Sequence, residues 1–280
     1  MKFLIALVSM SLVWVACEGA TLKINGSTTV NLPAAEAAEL LRAQRKLDIQ
    51  IDTNGGSSGG ISALGDGLVQ IAMISKELTD ADRAKYPKVH FRTAKIGEDA
   101  VALIVSKDVW DGGVRSLSKQ QLKDVYEGRV KNWVELGGPK QRIVFFNKEP
   151  GRGTWEVFAH WLYGDSKKAP QRSFPEVGGN EETRNKVRST RGAMSQLSAS
   201  WADGVTVFAL AIKTDSGEEI APTAANILNR KYPMSRPLYL VTDGEPTAES
   251  KIFVDFVLSP RGQALVSKHG YLTLEQLGNH

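Results

Sequence analysis

Three short segments of this chain combine glycine, serine and threonine in one way. They are Gly26-Ser27-Thr28-Thr29, Gly55-Gly56-Ser57-Ser58-Gly59-Gly60 and Gly151-Arg152-Gly153-Thr154, the last just after Asn147-Lys148. Each follows a run with strand character and leads into one with helix character. The first N–H groups of a helix have no partner inside it and lie at the positive end of its dipole. A negative group placed there collects several hydrogen bonds at once. Glycine lets the backbone come close, and hydroxyls add donors. Lys148 and Arg152 would supply formal charge. Taken singly, each turn reads as an ordinary helix cap. Three such termini meeting at one point would surround a tetrahedral oxyanion with donors, although spacing alone does not show that they meet.

Other chemistries fit less well. Gly55-Gly56-Ser57-Ser58-Gly59 also matches the G-x-S-x-G turn of serine hydrolases, which requires an acid and then a histidine further along. The four histidines are His90, His160, His269 and His280. His269 has the right order, but Lys268-His269-Gly270 is a helix-end pattern. His160 falls in an aromatic helix and reads as structural. There is no HExxH, no cysteine pair, no P-loop and no dinucleotide fingerprint, so no metal and no cofactor are expected. The net charge is +4. Its basic residues are scattered (Arg42, Arg45 and Lys46; Lys167 and Lys168; Arg184 and Lys186) and form no stripe with aromatics, which disfavours nucleic acid. Trp155, beside the third turn, is placed to report a change there by its emission.

The surrounding sequence predicts the elements that would hold these turns. Residues 1–20 read as a secretory signal: Met1-Lys2, then an apolar run from Phe3 to Ala16 that is short for a membrane span. Cys17, the only cysteine, follows Val15-Ala16 as in a bacterial lipoprotein signal, although Trp14 departs from that pattern. The alternatives are a lipid on Cys17 and ordinary cleavage near Ala16 or Ala20. Strands are predicted over 21–26, 47–53, 69–74, 99–106, 142–147, 204–212 and 235–242. Helices are predicted over 32–46, 61–68, 154–163, 181–189, 247–258 and 260–269. A further helix opens at Ser118 with Gln121 as a capping box. Strands alternating with helices indicate an α/β fold with a largely parallel sheet.

Several longer segments carry a resemblance. INGSTTV, DTNGGSSGGISAL, VQIAMISKEL, VYEGRVKNWVELGG, NKEPGRGTWEVF, YPMSRPLYLVT and FVLSPRGQALVSKHGY occur in the order seen in the phosphate-binding proteins of bacterial ABC importers, and the chain resembles that family over nearly its whole mature length. The resemblance implies a two-lobed periplasmic-binding-protein fold, with residues 21–96 and 235–280 in one lobe and 97–234 in the other. Two strands, near Asp99–Ser106 and Ser235–Thr242, would cross between lobes that close on an anion. It implies a monomer in the periplasm or at the cell surface, with an importer permease as partner and no catalysis. Of the family's anion ligands, the first-turn hydroxyls match Thr28 and Thr29 beside Ser27, the glycine-flanked serine matches Ser57 with Ser58 beside it, and the next position matches Ser75 or Lys76. The family's arginine falls on Lys148 and its SerGlyThr on Arg152-Gly153-Thr154. Lys148 keeps the charge but loses the guanidinium fork, and Arg152 either restores that fork or pairs with Glu149. The aspartate that some members use to reject sulfate reads as Ser75. A sulfate-type receptor and a non-transporting scaffold on the same fold are the remaining alternatives.

Overall fold

The computed structural model describes residues 21–170 and 173–278. The signal and Cys17 lie outside the described residues. The chain runs β1 (Leu22–Gly26), α1 (Asn31–Arg45), β2 (Ile49–Asp52), α2 (Gly56–Gly65), β3 (Ile71–Ile74), α3 (Asp80–Lys85) and β4 (Phe91–Ser106). It continues with α4 (Lys107–Asp111), β5 (Ser116–Ser118), α5 (Lys119–Tyr126), β6 (Val144–Lys148), α6 (Gly153–Tyr163), β7 (Glu176–Val177), α7 (Asn180–Ser189) and β8 (Ala193–Ser198). The last elements are β9 (Val207–Lys213), β10 (Glu219–Ile220), α8 (Ala224–Leu228), β11 (Ser235–Asp243), α9 (Ala248–Leu258), α10 (Pro260–Lys268) and α11 (Leu274–Gly278).

The strands order as β2-β1-β3-β11-β4-β8-β6-β7. β1, β2 and β3 are parallel, as strands joined by crossover helices must be. β11 inserts antiparallel between β3 and β4. β4 serves both halves of the molecule. From Phe91 to Ala100 it pairs with β11, with a register shift opposite Leu238 and Tyr239. Beyond Ala100 it pairs antiparallel with β8 and β9. Two apolar cores follow this division. One gathers Leu22, Ile24, Ile49, Ile71, Met73, Leu238, Leu240 and Phe253 under α1, α9 and α10. The other gathers Val101, Leu103, Leu122, Trp133, Phe145, Phe158, Met194 and Leu210. Leu272, late in the chain, packs into this second core.

Some elements differ from the sequence-based expectation. β4 begins at Phe91 rather than Asp99. Its first part carries Arg92, Thr93 and Lys95 and has no clean alternation. The continuous apolar signal starts only where both faces are covered. β8 was not expected at all. All six of its residues are buried, yet Ser195, Gln196 and Ser198 are polar. Gln196 is tolerated because it donates to Asn147 Oδ1 at 3.0 Å and accepts from Lys148 N at 3.2 Å. α2 begins at Gly56, not Ile61, because tertiary contacts override the poor helix propensity of its glycines.

Candidate functional site

The three glycine-rich turns converge. Ser27, Thr28 and Thr29 at the start of α1, Gly56 and Ser57 at the start of α2, and Arg152, Gly153 and Thr154 at the start of α6 line one small cavity with Ser75 and Lys148. Ser58 is the exception. It sits one residue further along α2, about 100° around the helix from Ser57, and its hydroxyl donates to Glu156 Oε1 at 3.0 Å instead. Lys76 also points elsewhere, to Asp82 and Glu156 at 2.8 Å each.

A fourth helix N-terminus joins the site. Gly178 and Asn180, at the entry to α7, line the same cavity. Val177-Gly178-Gly179-Asn180 repeats the strand–glycine–helix design of the other three turns, a signal legible in the sequence but hidden by the shortness of β7. Asn180 Nδ2 donates to Thr29 Oγ1 at 3.0 Å, joining the two sides of the cleft.

Arg236 is the other residue that sequence reasoning missed as a site residue. It lies on β11, and its side chain has no exposed surface. Nε and Nη2 both donate to Asp99 Oδ2 on β4, at 3.1 and 2.7 Å. Nη1 donates to Thr154 Oγ1 at 2.9 Å and to Ser75 Oγ at 3.3 Å, and Nη2 to Thr29 Oγ1 at 3.1 Å. One guanidinium thus joins β4 and β11 to hydroxyls from two of the turns and to Ser75 at the end of β3. A single arginine inside a strand carries no motif of its own.

The two cations expected from sequence have distinct settings. Lys148 is fully buried, and Nζ donates to the carbonyls of Gly178 at 2.8 Å and Gly179 at 3.0 Å and to Thr183 Oγ1. Those three acceptors match the three protons of an ammonium and fix the α7 turn. Burial, then the charges of Arg152 and Arg236, push the amine well below the usual lysine value. An anion in the cavity would oppose that shift. Arg152 lies at the cavity, but its fork is spent on Glu149 Oε2, at 2.9 and 2.7 Å, with Nη1 reaching Thr53 O at 3.3 Å. Its pairing with Glu149, one of the two settings left open by the sequence, is the one found.

The cleft is closed by contacts between the halves. Ser58 N donates to Gly151 O at 3.0 Å. Lys76 and Glu156 form a largely buried ion pair. Burial would lower the Lys76 amine, but Glu156 and Asp82 outweigh it and hold the group above its usual value, so it stays charged. Gly153 is required by closeness alone. A Cβ there would stand 2.7 Å from Ser57 Oγ and 2.8 Å from Ser75 Oγ. A wider groove of about 610 Å³ opens on the far side of Arg236. Its charges are already matched, Glu98 by Lys95 and Arg230 and Lys76 by Glu156, so it offers an anion less than the small cavity does. His160, exposed on that groove, is not the structural residue expected.

Two other features bear on the weaker readings. Ser57 Oγ accepts from Ser75 N at 3.1 Å, and none of the described histidines lines the cavity. His269 instead contacts Glu36 Oε1 at 2.8 Å. Among the described residues no group of three metal-ligating side chains occurs, and no helix is long and apolar enough to cross a membrane.

Comparison with known proteins places this architecture. Residues 15–261 match the PBP superfamily domain, and the chain belongs to that superfamily. Within it, the chain is 30% identical over 266 residues to the phosphate-binding protein PstS of Bacillus subtilis (strain 168), covering 92% of this chain and 82% of that one. A solved structure of a phosphate ABC transporter substrate-binding protein from Clostridium perfringens, with bound phosphate, is 30% identical and superposes with a TM-score of 0.79 over 91% of this chain and all of its own. An ABC-type phosphate transport receptor from Vibrio cholerae is 25% identical, with a TM-score of 0.68 over 90% of this chain and 99% of its own.

The close fit at Gly153 predicts that Gly153→Ala holds the halves apart. Small-angle scattering should then give a larger radius of gyration for the variant than for the parent under ligand-saturating conditions. Identical profiles would refute the steric argument.

Proposed function

We propose that this protein is an exported receptor that captures inorganic phosphate, or a similar tetrahedral oxyanion, between two lobes and delivers it to an ABC importer. The observation that carries this reading is the meeting of four helix N-termini with Lys148 and Arg152 at one cavity, backed by Arg236 through Thr154. The named activities of the relatives support phosphate as the ligand. The anion-binding set is Thr28, Thr29, Ser57, Ser75, Gly153 and Thr154, with Arg236 behind the hydroxyls, Lys148 as charge and Arg152 lining the cavity in its pair with Glu149. Ser27 Oγ accepts from Thr29 N at 3.2 Å in the turn before α1 and donates to Ser75 Oγ at 2.8 Å.

The lobes comprise residues 21–96 with 235–280, and 97–234, hinged where β4 and β11 run side by side. The separate cores support this division. Binding favours the closed arrangement over an open one sampled beforehand. The protein performs no chemistry. Among the described residues no imidazole reaches Ser57, and its hydroxyl accepts from Ser75 N. It works as a monomer in the periplasm or at the cell surface, with the permease as partner and residues 1–20 as the export signal. A lipid on Cys17 would tether it there.

Titration calorimetry of the dialysed mature chain is expected to show saturable phosphate binding in the micromolar range or tighter, about −8 kcal/mol or better. No heat at millimolar phosphate, sulfate or arsenate would leave only the scaffold reading. Glu156→Gln removes an ion pair that exists only when the lobes are closed. It should weaken binding about tenfold, mainly through faster release in stopped-flow tryptophan fluorescence. An unchanged release rate would remove Glu156 from the latch. Lys148 gives a third expectation. Its folded value is depressed without ligand and raised by an anion, so binding takes up a proton there, and affinity falls as pH rises through the depressed value. Calorimetry in buffers of different ionisation heat should show less proton uptake for Lys148→Met than for the parent; equal uptake would contradict this.

A further inference from the structure

The segment Ser267-Lys268-His269-Gly270-Tyr271 ends one of the stretches that carry the family resemblance, yet it lines no part of the anion cavity. The fold places it at the joint between the halves. Glu98 N donates to Leu272 O at 3.0 Å, and Leu272 N to Glu98 O at 2.9 Å. This antiparallel bridge lies on the edge of β4 away from β11, just before Val101, where β4 takes β8 as its partner. Glu98 spends both backbone groups on Leu272, so the β11 residue facing it can be Pro237, which has no N–H. Gly97 lets the two backbones approach: a Cβ there would stand 2.5 Å from Leu272 O. Gln263 adds a clasp, donating to Ile96 O at 3.0 Å and accepting from Leu274 N at 2.9 Å. Beyond the bridge the side chains part. Tyr271 is buried in the first core and Leu272 in the second, where Leu277 of α11 packs as well. Neighbouring residues of an extended segment point to opposite sides, so one short stretch enters both cores.

Tyr271 also reaches the first anion turn. Its hydroxyl donates to Thr29 O at 3.0 Å. A helical turn already runs through this stretch, with Asn31 N donating to Ser27 O at 3.0 Å. In the same pattern Thr29 O would accept from the N–H of residue 33, but Pro33 has none. Tyr271 supplies the missing donor. Burial, and then the charge of Asp99, raise the phenol above its usual value, so it keeps the proton that it donates. Ser200 and Ser198, which belong to the second half, lie beside the same phenol. Gly270 lies against Ser200.

We infer that residues 270–277 form a third crossing between the halves, beside β4 and β11, and that Tyr271 is a positioning residue through which this crossing holds the first anion turn in place. The role of Tyr271 rests on the oxyanion-receptor reading; the crossing itself does not. Two paired strands let the halves both bend and twist about each other. A third segment on the far edge of β4, sewn into both cores, resists twist and leaves bending. The bond to Thr29 O keeps the entry of α1 in step with the same segment.

Tyr271→Phe keeps the ring in its core and deletes the hydroxyl. Tyr232→Phe is the matched control, because Tyr232 is equally buried and donates to Val101 O at 2.9 Å, wholly within the second half. Both variants should unfold at lower denaturant. Phosphate affinity by calorimetry should fall about tenfold in Tyr271→Phe and less than about twofold in Tyr232→Phe. Stopped-flow release should be faster only in Tyr271→Phe. Equal losses in the two variants, or none in Tyr271→Phe, would leave Tyr271 a packing residue and overturn its role. The crossing is read without ligand. Spin labels at Leu68→Cys and Val205→Cys, exposed positions in the two halves, report the distance between them in a Cys17→Ser background. Ending the chain at Thr273 removes α11, and Leu277→Ser loosens it while sparing the backbone. Each should broaden the distance distribution relative to the parent. Distributions as narrow as the parent's in both would overturn the third crossing. If the parent binds no phosphate, the receptor reading falls and the role of Tyr271 with it, while the distances still decide the crossing.

Discussion

The ion pair of Arg236 with Asp99 sits where the rest of the molecule meets. Both side chains are essentially sealed from solvent, at 0% and 2% exposure. A buried pair of this kind is weak as a source of stability, because desolvation of two charges offsets most of their attraction. What it supplies is geometry. Asp99 holds the guanidinium in one plane, and the remaining N–H groups then reach Thr29, Ser75 and Thr154. Those hydroxyls belong to separate stretches of sequence, so one rigid group sets the relative positions of α1, the end of β3 and α6. Because β4 runs from one core to the other with β11 beside it, the centre of the site and the link between the cores are the same piece of backbone.

Much of this was legible before any coordinates. The glycine-rich turns announce themselves because a helix entry that receives a ligand must be small and rich in donors, and that constraint is local. Thr29, Ser57, Gly153 and Thr154 could be selected on such grounds. Ser58 could not be separated from Ser57, because the choice depends on where α2 begins, and tertiary contacts decide that. Arg236 was invisible for a related reason. Its role comes from a long-range pairing across β11 and β4, 137 residues apart in sequence. The α7 turn lay between these cases: its Gly178-Gly179 pair was readable, but β7 is two residues long and left no strand signal ahead of it.

The fold followed the same rule. Helices with strong caps appeared where expected, α5 with Ser118 and Gln121 and α10 behind Ser259-Pro260. Strands that are buried on both faces and apolar, such as β3, were also evident. β8 was not, because three of its six buried residues are polar and are satisfied by partners that only the folded chain supplies.

The place of β11 in the first sheet has a consequence for how the chain is made. β11 lies between β3 and β4, yet its residues come after about 130 others that follow β4. Until residues 235–243 are synthesised, β3 presents an open edge and the first core lacks Leu238, Leu240 and Phe253. The second core is nearly continuous in sequence and can consolidate while the first waits. A chain that emerges from its N-terminus is therefore kept from finishing its first half until its last elements arrive.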